Sequence, residues 1–244
     1  MQLPLKYIIR SSVSRRLTTA ITVAGIALVV FVFTAVLMMA NGVQKTLRST
    51  GSDDNLLVAR KAAMSEIMGI MDREAAGIIV NLPQVARAAD GAPMSSKEVV
   101  VIINLSKLGG EGISNVTVRG VEAPAFQLRP QVKIVEGRMF RWGAREVIAG
   151  AGISKRFIGA QIGEKIKFGG DVWTVVGLFD ADGSGFDSEL WGDLNQIADA
   201  FRRSSFSTVT VRMKEAGDIL GIRVLDHIVL GADTYFSFKD EDLL

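Results

Sequence analysis

Residues 20–40 have the sequence AITVAGIALVVFVFTAVLMMA, a run of 21 residues without a charged side chain. An α-helix of this length is about 30 Å long, which matches the hydrocarbon core of a bilayer. No acidic residue occurs before the end of the run, and the cations that precede it are Lys6, Arg10, Arg15 and Arg16. Because positive charge stays on the cytoplasmic side, the sequence predicts a transmembrane helix over 20–40 with a cytoplasmic N-terminus and an external remainder after Asn41.

Two other structures share features with this run. A cleaved signal peptide also has a basic start, but its apolar stretch covers only about 7–15 residues and ends at a small-residue site. The present run is longer and ends in Leu37-Met38-Met39-Ala40. A run of 21 uncharged residues with four cations on one side is not typical of a buried helix in a soluble protein. A retained membrane anchor is favoured over both alternatives.

The charge of the chain is uneven. The first 40 residues hold four of the 28 basic residues and none of the 26 acidic ones, so the remainder has a net charge of −2. The pI of 8.9 therefore reflects the cations in front of the apolar run and not a basic surface on the rest of the chain. For this reason we expect no nucleic-acid interface. The chain contains no cysteine, which excludes disulfides, thiolate metal sites and a cysteine nucleophile.

The first 19 residues form a basic segment in which Leu5, Ile8, Ile9 and Val13 recur at helical spacing. This pattern is typical of a short interfacial helix that lies on anionic membrane lipid or docks on a cytoplasmic partner. A topology signal without further structure is the alternative.

Beyond the membrane run the pattern changes to short elements. Helical segments are predicted at 42–50, 64–79 (with a second start at Asp72), 153–158 and 194–201. Strands are predicted at 56–60, 98–105, 115–121, 131–136, 146–149, 165–168, 172–178 and 208–212. The fold class is therefore α+β. We expect residues 55–214 to fold independently of the anchor, and Val175 to lie in a strand that is apolar on both faces.

Six short phrases occur in a fixed order between Val118 and Arg212. They are VRGV (118–121), EGRMF (136–140), REVIAG (145–150), IGEKI (162–166), WTVVGLF (173–179) and STVTVR (207–212). In combination they resemble the MacB-like periplasmic core domain of FtsX-type ABC transporter permeases, whose members also begin with a basic segment and one membrane helix. The resemblance divides the chain into a cytoplasmic segment (1–19), a transmembrane helix (20–40), the MacB-like domain (41–217) and a poorly matched tail (218–244).

The resemblance implies a permease component, or the N-terminal part of one, in the inner membrane of a bacterium, with the main domain periplasmic or extracellular. Its external domain would relay motion or guide substrate, while a separate cytoplasmic ABC ATPase subunit hydrolyses ATP. A second permease subunit, identical or homologous, and a periplasmic adaptor protein are the other implied partners. The sequence does not select among the efflux, lipoprotein-release and mechanical roles of relatives.

One departure from the family pattern opens an alternative. Family members carry three further membrane helices after the external domain, whereas residues 218–244 contain no uncharged span long enough to cross a bilayer. We therefore expect a truncated or split permease. The alternative is a single-pass anchored module that binds proteins without transport.

The sequence assigns no catalytic, cofactor-binding or metal-binding residue, and we expect no enzyme activity. His227 is the single histidine, and no GxxxxGK[ST] phosphate-binding loop occurs. The segment from Asp180 to Asp187 has carboxylates spaced as in a calcium loop, but Trp191 stands where the twelfth position needs Glu. It is interpreted as a Gly-rich loop, and residues 108–112 as a flexible hairpin tip.

The sequence also predicts the surroundings of two glycines and three tryptophans. Gly137 is expected to adopt a turn conformation closed to other residues and to place Arg138 in a loop, and Gly163 to mark a turn before a strand. Trp173 is expected in the core with its indole N–H satisfied. For Trp142 and Trp191, which stand beside glycines, core packing and contact with a partner both remain open.

Overall fold

The computed structural model describes residues 15–52, 54–61, 63–110, 112–214, 228–230 and 235–237. It divides the chain into two compact units, Met1–Arg48 and Ser49–Leu244. The predicted basic segment before Arg15, and His227, lie outside the described residues. The division into four segments stays a prediction.

The first unit is dominated by one helix. Helix α1 covers Arg16–Thr50, so the apolar run continues as helix through the predicted 42–50 extension. An 18-residue stretch within Arg16–Thr46 has a mean hydropathy of 2.7, and Arg16–Thr46 is the one candidate membrane span among the residues described. Two threonine hydroxyls inside the helix, those of Thr22 and Thr34, donate to the carbonyls of Thr18 and Val30 four residues earlier, which removes free donors from the apolar surface.

The second unit contains short helices and strands, as the α+β prediction requires. Its helices are α2 (Arg73–Val80), α3 (Ala125–Leu128), α4 (Ala151–Ser154) and α5 (Leu194–Ala200), with 3₁₀ turns at Glu66–Met68 and Gly185–Ser188. Its strands are β1 (Asn55–Val58), β2 (Ser95–Ser106), β3 (Ile113–Val121), β4 (Lys133–Gly137), β5 (Glu146–Gly150), β6 (Lys165–Phe168), β7 (Asp171–Asp180), β8 (Glu189–Asp193), β9 (Thr208–Arg212), β10 (Ile228–Leu230) and β11 (Tyr235–Ser237).

Nine of these strands form one mixed sheet. Its order is β1-β9-β2-β3-β8-β5-β7-β4, and β6 pairs with β7. The β3–β8 and β5–β7 pairs are parallel, whereas the other pairs are antiparallel. Strands β10 and β11 form a separate antiparallel pair, with Ile228 opposite Ser237.

Both faces of the sheet are covered, because neighbouring residues of its central strands enter different cores. Val175 and Leu190 belong to a core that includes residues of α2 and α5. Val176 and Trp191, the next residues along their strands, belong to a second core with Phe186. Because successive residues of a strand point to opposite faces, Val175 and Val176 enter opposite cores, and the centre of β7 is apolar on both faces.

Three sequence-based assignments differ from the structure. The first half of the helix predicted at 64–79 forms only the 3₁₀ turn Glu66–Met68, and α2 begins at Arg73, after the second predicted start. The helix predicted at 153–158 lies instead at α4, because the N–H of Ile158 donates to Ser106 O and pulls the chain into an extended contact with β2. Strand β8 was not predicted, although it lies at the centre of the sheet between β3 and β5. Its five residues are all buried and show no alternation for a sequence pattern to detect.

Candidate functional site

A buried cluster of arginine and glutamate side chains lies on the face of the sheet that carries Trp191. Arg119 of β3 forms a two-pronged contact with Glu189 of β8: its Nε lies 2.8 Å from Oε2 and its Nη2 lies 2.9 Å from Oε1. Its Nη1 donates to Glu98 of β2 at 2.7 Å and to Glu66 at 2.6 Å. One guanidinium group therefore links two neighbouring strands of the sheet and the 3₁₀ turn before α2.

A second guanidinium group completes the cluster. Arg129, which follows α3, donates through Nη1 to Glu98 Oε1 at 2.6 Å and through Nη2 to Glu98 Oε2 at 3.1 Å. Its Nη2 also donates to the hydroxyl of Thr210 in β9 at 3.0 Å. Glu98 is thus held between Arg119 and Arg129, and the cluster extends over four strands.

Aromatic rings cover the two guanidinium groups. The ring centroid of Phe186 lies 5.4 Å from the Arg119 guanidinium carbon and 5.1 Å from that of Arg129. The indole of Trp191 lies 5.6 Å from Arg129 and donates through Nε1 to Glu189 at 2.8 Å. These distances are typical of cation–π contacts, and the rings exclude water from the charges.

The electrostatics favour the ionised forms. Burial raises the pKa of Glu98, but the charges of Arg129 and Arg119 and their hydrogen bonds outweigh burial and hold that pKa below its usual value. For Arg119, burial lowers the pKa, whereas Glu189, Glu98 and Glu66 together raise it well above the usual value. Glu98 and Arg119 are therefore both charged at neutral pH, so the cluster is ionic.

Thr50, which belongs to the second unit, contacts the loop that carries Phe186. Thr50 Oγ1 accepts a hydrogen bond from the N–H of Gly185 at 3.0 Å. The loop itself is fixed by Asp187, whose carboxylate accepts from the N–H groups of Ala181 at 2.7 Å and Gly183 at 2.9 Å. Thr50 therefore contacts a structured loop at Gly185, the residue before Phe186, whose ring covers Arg119 and Arg129.

The same hydrogen bonds show what the aspartates of the segment that resembles a calcium loop do in the structure. Asp187 and Asp180 accept from backbone N–H groups of their own turn, and this turn joins β7 to β8, a strand that the sequence did not predict. Among the described residues no group of three His, Cys, Asp or Glu side chains is placed to hold a metal ion. The sequence assigned no metal ligand, and that assignment stays a prediction.

The three tryptophans have different surroundings. Trp173 is fully buried, and its Nε1 donates to Phe168 O at 3.2 Å, which confirms the prediction. Contact with a partner is wrong for Trp191, because this residue lies in β8 with no exposed surface. Trp142 is 47% exposed and packs edge-on against Phe140 with ring centroids 4.8 Å apart, so one of its faces is available for contacts.

The expectation for Gly137 is confirmed. Its φ is +76°, and a Cβ there would lie 2.5 Å from Val176 O, so both conformation and space require glycine. Arg138 then leaves the strand and forms a two-pronged pair with Glu146, with both distances 2.7 Å. This hydrogen bonding lowers the pKa of Glu146 to about 2 against the opposing effect of its partial burial, so the pair fastens the loop between β4 and β5.

Sequence reasoning missed the ionic cluster. Arg119 was part of the VRGV phrase and Glu98 began a predicted strand, but neither was interpreted as a buried charge. The available signal was a charged residue inside each of two otherwise apolar strands, since a buried arginine in a sheet needs a carboxylate on a neighbouring strand. Glu189 could not be paired in this way because β8 was not predicted.

The fold and the site define an α+β domain with an internal ionic cluster, preceded by one helix long and apolar enough to span a membrane. The family model of the MacB-like periplasmic core domain matches residues 19–220. The chain therefore belongs to this family, the periplasmic domain of ABC-type transporter permeases, as the phrases from Val118 to Arg212 predict.

The solved structures that are similar to this chain include two transporter domains. The extracellular domain of the noncanonic ABC-type transporter YknZ from Gram-positive bacteria is 16% identical with a TM-score of 0.49, over 68% of this chain and 87% of that domain. The periplasmic region of MacB from Actinobacillus actinomycetemcomitans is 11% identical with a TM-score of 0.49, over 70% of this chain and 78% of that region.

The last part of the chain matches a second family. The model of the RadC-like JAB domain matches residues 205–243 and so overlaps the end of the first match. Among curated proteins, a UPF0758 protein of Trichlorobacter lovleyi is 58% identical over 36 residues, and one of Pelobacter propionicus is 56% identical over 36 residues. Each alignment covers 15% of this chain and 16% of the relative, so the chain spans about a sixth of the length of these curated relatives.

Proposed function

We propose that this chain is the permease component, or the N-terminal part of one, of a MacB/FtsX-type ABC transporter, in which a separate cytoplasmic subunit hydrolyses ATP. The family match over 19–220 supports the transporter class. The hydrogen bond between Thr50 and Gly185 is the observation that carries the relay role. The external domain moves in response to α1 and performs no covalent step.

The path of the relay consists of short contacts. Displacement of Thr50 acts on Gly185 and, through the next residue, on the Phe186 ring. That ring lies on Arg119 and Arg129, which are bound to carboxylates in β2 and β8. Because the cluster is buried and its donors are fixed in fork geometry, it deforms little, and the displacement reaches the sheet as a whole.

The membrane arrangement of the proposal has the N-terminus in the cytoplasm and the sheet in the periplasm or outside the cell. Arg15 and Arg16 at the start of α1, with Lys6 and Arg10 before them, support this orientation. One apolar helix lines no polar route through a bilayer, so transport requires membrane helices beyond Arg16–Thr46. A second permease subunit, an ABC ATPase and a periplasmic adaptor are the proposed partners.

The test compares two substitutions of Thr50 in the complete transporter. Thr50→Val keeps the branched shape but removes the hydroxyl acceptor, whereas Thr50→Ser keeps the acceptor. The chain is reconstituted with the ATPase from its genomic neighbourhood and with any further permease subunit encoded there, and ATP turnover and substrate movement are measured. We expect Thr50→Val to uncouple hydrolysis from movement while Thr50→Ser retains coupling.

The anchored interaction module is the second candidate, since the described residues hold one candidate span and Trp142 exposes an aromatic face. It predicts that the chain neither binds the ATPase nor changes its turnover, and that Trp142→Ala weakens capture of a periplasmic protein. Unchanged ATP turnover when the chain and the further permease subunit are both present would contradict the permease proposal.

A further inference from the structure

The part of the chain after β9 has two features that the transporter domain does not explain. The family model of the RadC-like JAB domain matches residues 205–243, whereas among the described residues the nine-stranded sheet takes no strand from beyond Thr208–Arg212. Strands β10 and β11 lie within this match and form a two-stranded sheet of their own. Most of the RadC-like match therefore lies outside the sheet of the MacB-like domain.

The RadC-like match is close but short. In the UPF0758 protein of Trichlorobacter lovleyi, 58% of the 36 aligned residues are identical, and the alignment covers 16% of that protein. More than half of the side chains that the relative has in this segment are thus present here. The rest of the relative, about five-sixths of it, lies outside the alignment. The chain therefore matches one segment of a RadC-like protein without the part that surrounds this segment in the relative.

The two paired strands are too small a unit to be stable alone. Their sequences are IVL (228–230) and YFS (235–237), so five of the six paired residues are apolar or aromatic. An isolated pair of strands is marginally stable in water and needs a further strand, or a helix packed against it, for stability. Neither strand pairs with the nine-stranded sheet in the part of the chain that the structure describes. The strand pair therefore needs another partner surface.

Charge disfavours a second copy of this segment as the partner surface. Residues 213–243 hold three basic and seven acidic residues, a net charge of −4. Two copies would bring like charges together, and such a juxtaposition costs free energy. An anionic lipid surface would repel the segment for the same reason. The surroundings in which relatives hold more than half of the same residues are those of a RadC-like protein, so this surface is the one that the segment fits.

We propose that residues 213–243 are a docking segment for a RadC-like JAB domain that lacks its own copy of the segment. Strands β10 and β11 take the place that the equivalent residues have in a complete RadC-like protein, as in the exchange of identical elements between chains. Main-chain hydrogen bonds and apolar contacts of the added strands supply the affinity. The inference goes beyond the permease proposal and does not depend on it, because the residues of the ionic cluster all precede residue 213.

The first test uses the full chain in detergent micelles and the UPF0758 protein of Trichlorobacter lovleyi in two forms, intact and without the 36 aligned residues. The chain is co-expressed with each form, and the amount retained on the chain is measured. We expect the shortened form to be retained and the intact form to bind about 100-fold more weakly. The reason is that a copy held in the same molecule, at an effective concentration of about 1 mM, competes with a contact of about 10 μM. A free peptide of the 36 residues is the positive control.

A second measurement does not depend on the folding of the shortened form. In a grafted relative, the aligned residues of this chain replace the relative's own 36 residues. We expect the grafted relative to keep the cooperative thermal transition of the intact protein, because the segment fits the same surroundings. Loss of that transition overturns the inference whatever the first test shows.

Two substitutions in the chain locate the contact. Phe236→Asp places a charge in β11 and should weaken retention of the shortened relative about tenfold or more. Val135→Asp is the matched control, because Val135 is 61% exposed on β4 and lies outside the RadC-like match. It should leave retention unchanged.

The remaining outcomes each contradict the docking segment. Equal retention of the intact and shortened forms, or retention that survives Phe236→Asp, shows that another surface binds. Retention by the free peptide but not by the chain, or by neither, shows that the chain does not supply the segment to a separate domain. Self-association of the chain that Phe236→Asp abolishes indicates a second copy as the partner. None of these outcomes bears on the permease proposal, which the Thr50 substitutions test.

Discussion

Replacement of Glu98 by glutamine tests whether the ionic cluster stabilises the domain. Glu98 is fully buried and accepts hydrogen bonds from Arg119 and from both terminal nitrogens of Arg129. Glu98→Gln keeps the size of the side chain but removes the charge between two buried cations. Loss of one member of a buried ion pair costs about 3–5 kcal/mol, a large share of the roughly 5–15 kcal/mol by which a domain is stable.

The assay is urea unfolding of the fragment 55–214, followed by near-UV circular dichroism. Glu122→Gln is the matched control, since the same chemical change removes the charge from the partly exposed Lys97–Glu122 pair, with an N–O distance of 2.9 Å and side-chain exposures of 27% and 31%. Partly exposed pairs contribute about 0–1 kcal/mol. We therefore expect Glu98→Gln to lower the free energy of unfolding several times more than Glu122→Gln does.

The pH dependence gives a second readout of the same substitution. Because the folded-state pKa of Glu98 lies below its usual value of 4.5, its contribution is complete above pH 4.5 and is lost as the pH falls through the lowered folded pKa. The stability difference between the wild-type fragment and Glu98→Gln should be constant near neutral pH and shrink in acid. Equal losses for Glu98→Gln and Glu122→Gln, or a difference that grows in acid, would refute the reasoning.

Three further predictions concern the core, the backbone and the topology. Val175→Asp should abolish the cooperative thermal transition of the fragment, because an unpaired charge would enter a site with no exposed surface, whereas Val135→Asp on an exposed position should retain it. Gly137→Ala should cost more than Gly143→Ala in urea unfolding: both have positive φ, but only Gly137 faces a backbone oxygen at 2.5 Å. Protease added to spheroplasts should digest the chain after Asn41, and protection of that region would show that the orientation is reversed.

The strands that the sequence predicts well are those with a clear boundary signal. Strands 165–168 and 208–212 were predicted with the bounds that the structure has, since glycine or serine marks their starts and apolar residues recur within them. The start of α2 was predicted for a similar reason, because Asp72 accepts from the N–H of Ala75 as an N-cap. Local chemistry decided these bounds, so a local pattern could find them.

The candidate site depends on contacts that local patterns do not contain. Glu98 and Arg119 are 21 residues apart, and Arg119 and Glu189 are 70 residues apart, so their pairing follows from the strand order and not from spacing. The turn α3 is only four residues long, and it positions Arg129 over Glu98. A sequence could supply the charged residues, but only the register of β2, β3 and β8 shows that they meet.

Stability alone does not account for an ionic cluster at this position. Well-packed apolar side chains of similar volume would stabilise the sheet equally well or better, and the neighbouring cores are apolar. The forked guanidinium groups add a fixed geometry instead: each orients a strand carboxylate on one side and the Phe186 ring on the other. Urea unfolding of Glu98→Gln measures what the cluster contributes to stability. The coupling of ATP hydrolysis to substrate movement in Thr50→Val measures what its fixed geometry contributes to the relay. Since Thr50 Oγ1 accepts from Gly185, next to the ring that covers the cluster, loss of coupling in Thr50→Val with unchanged stability would show that the two properties are separable.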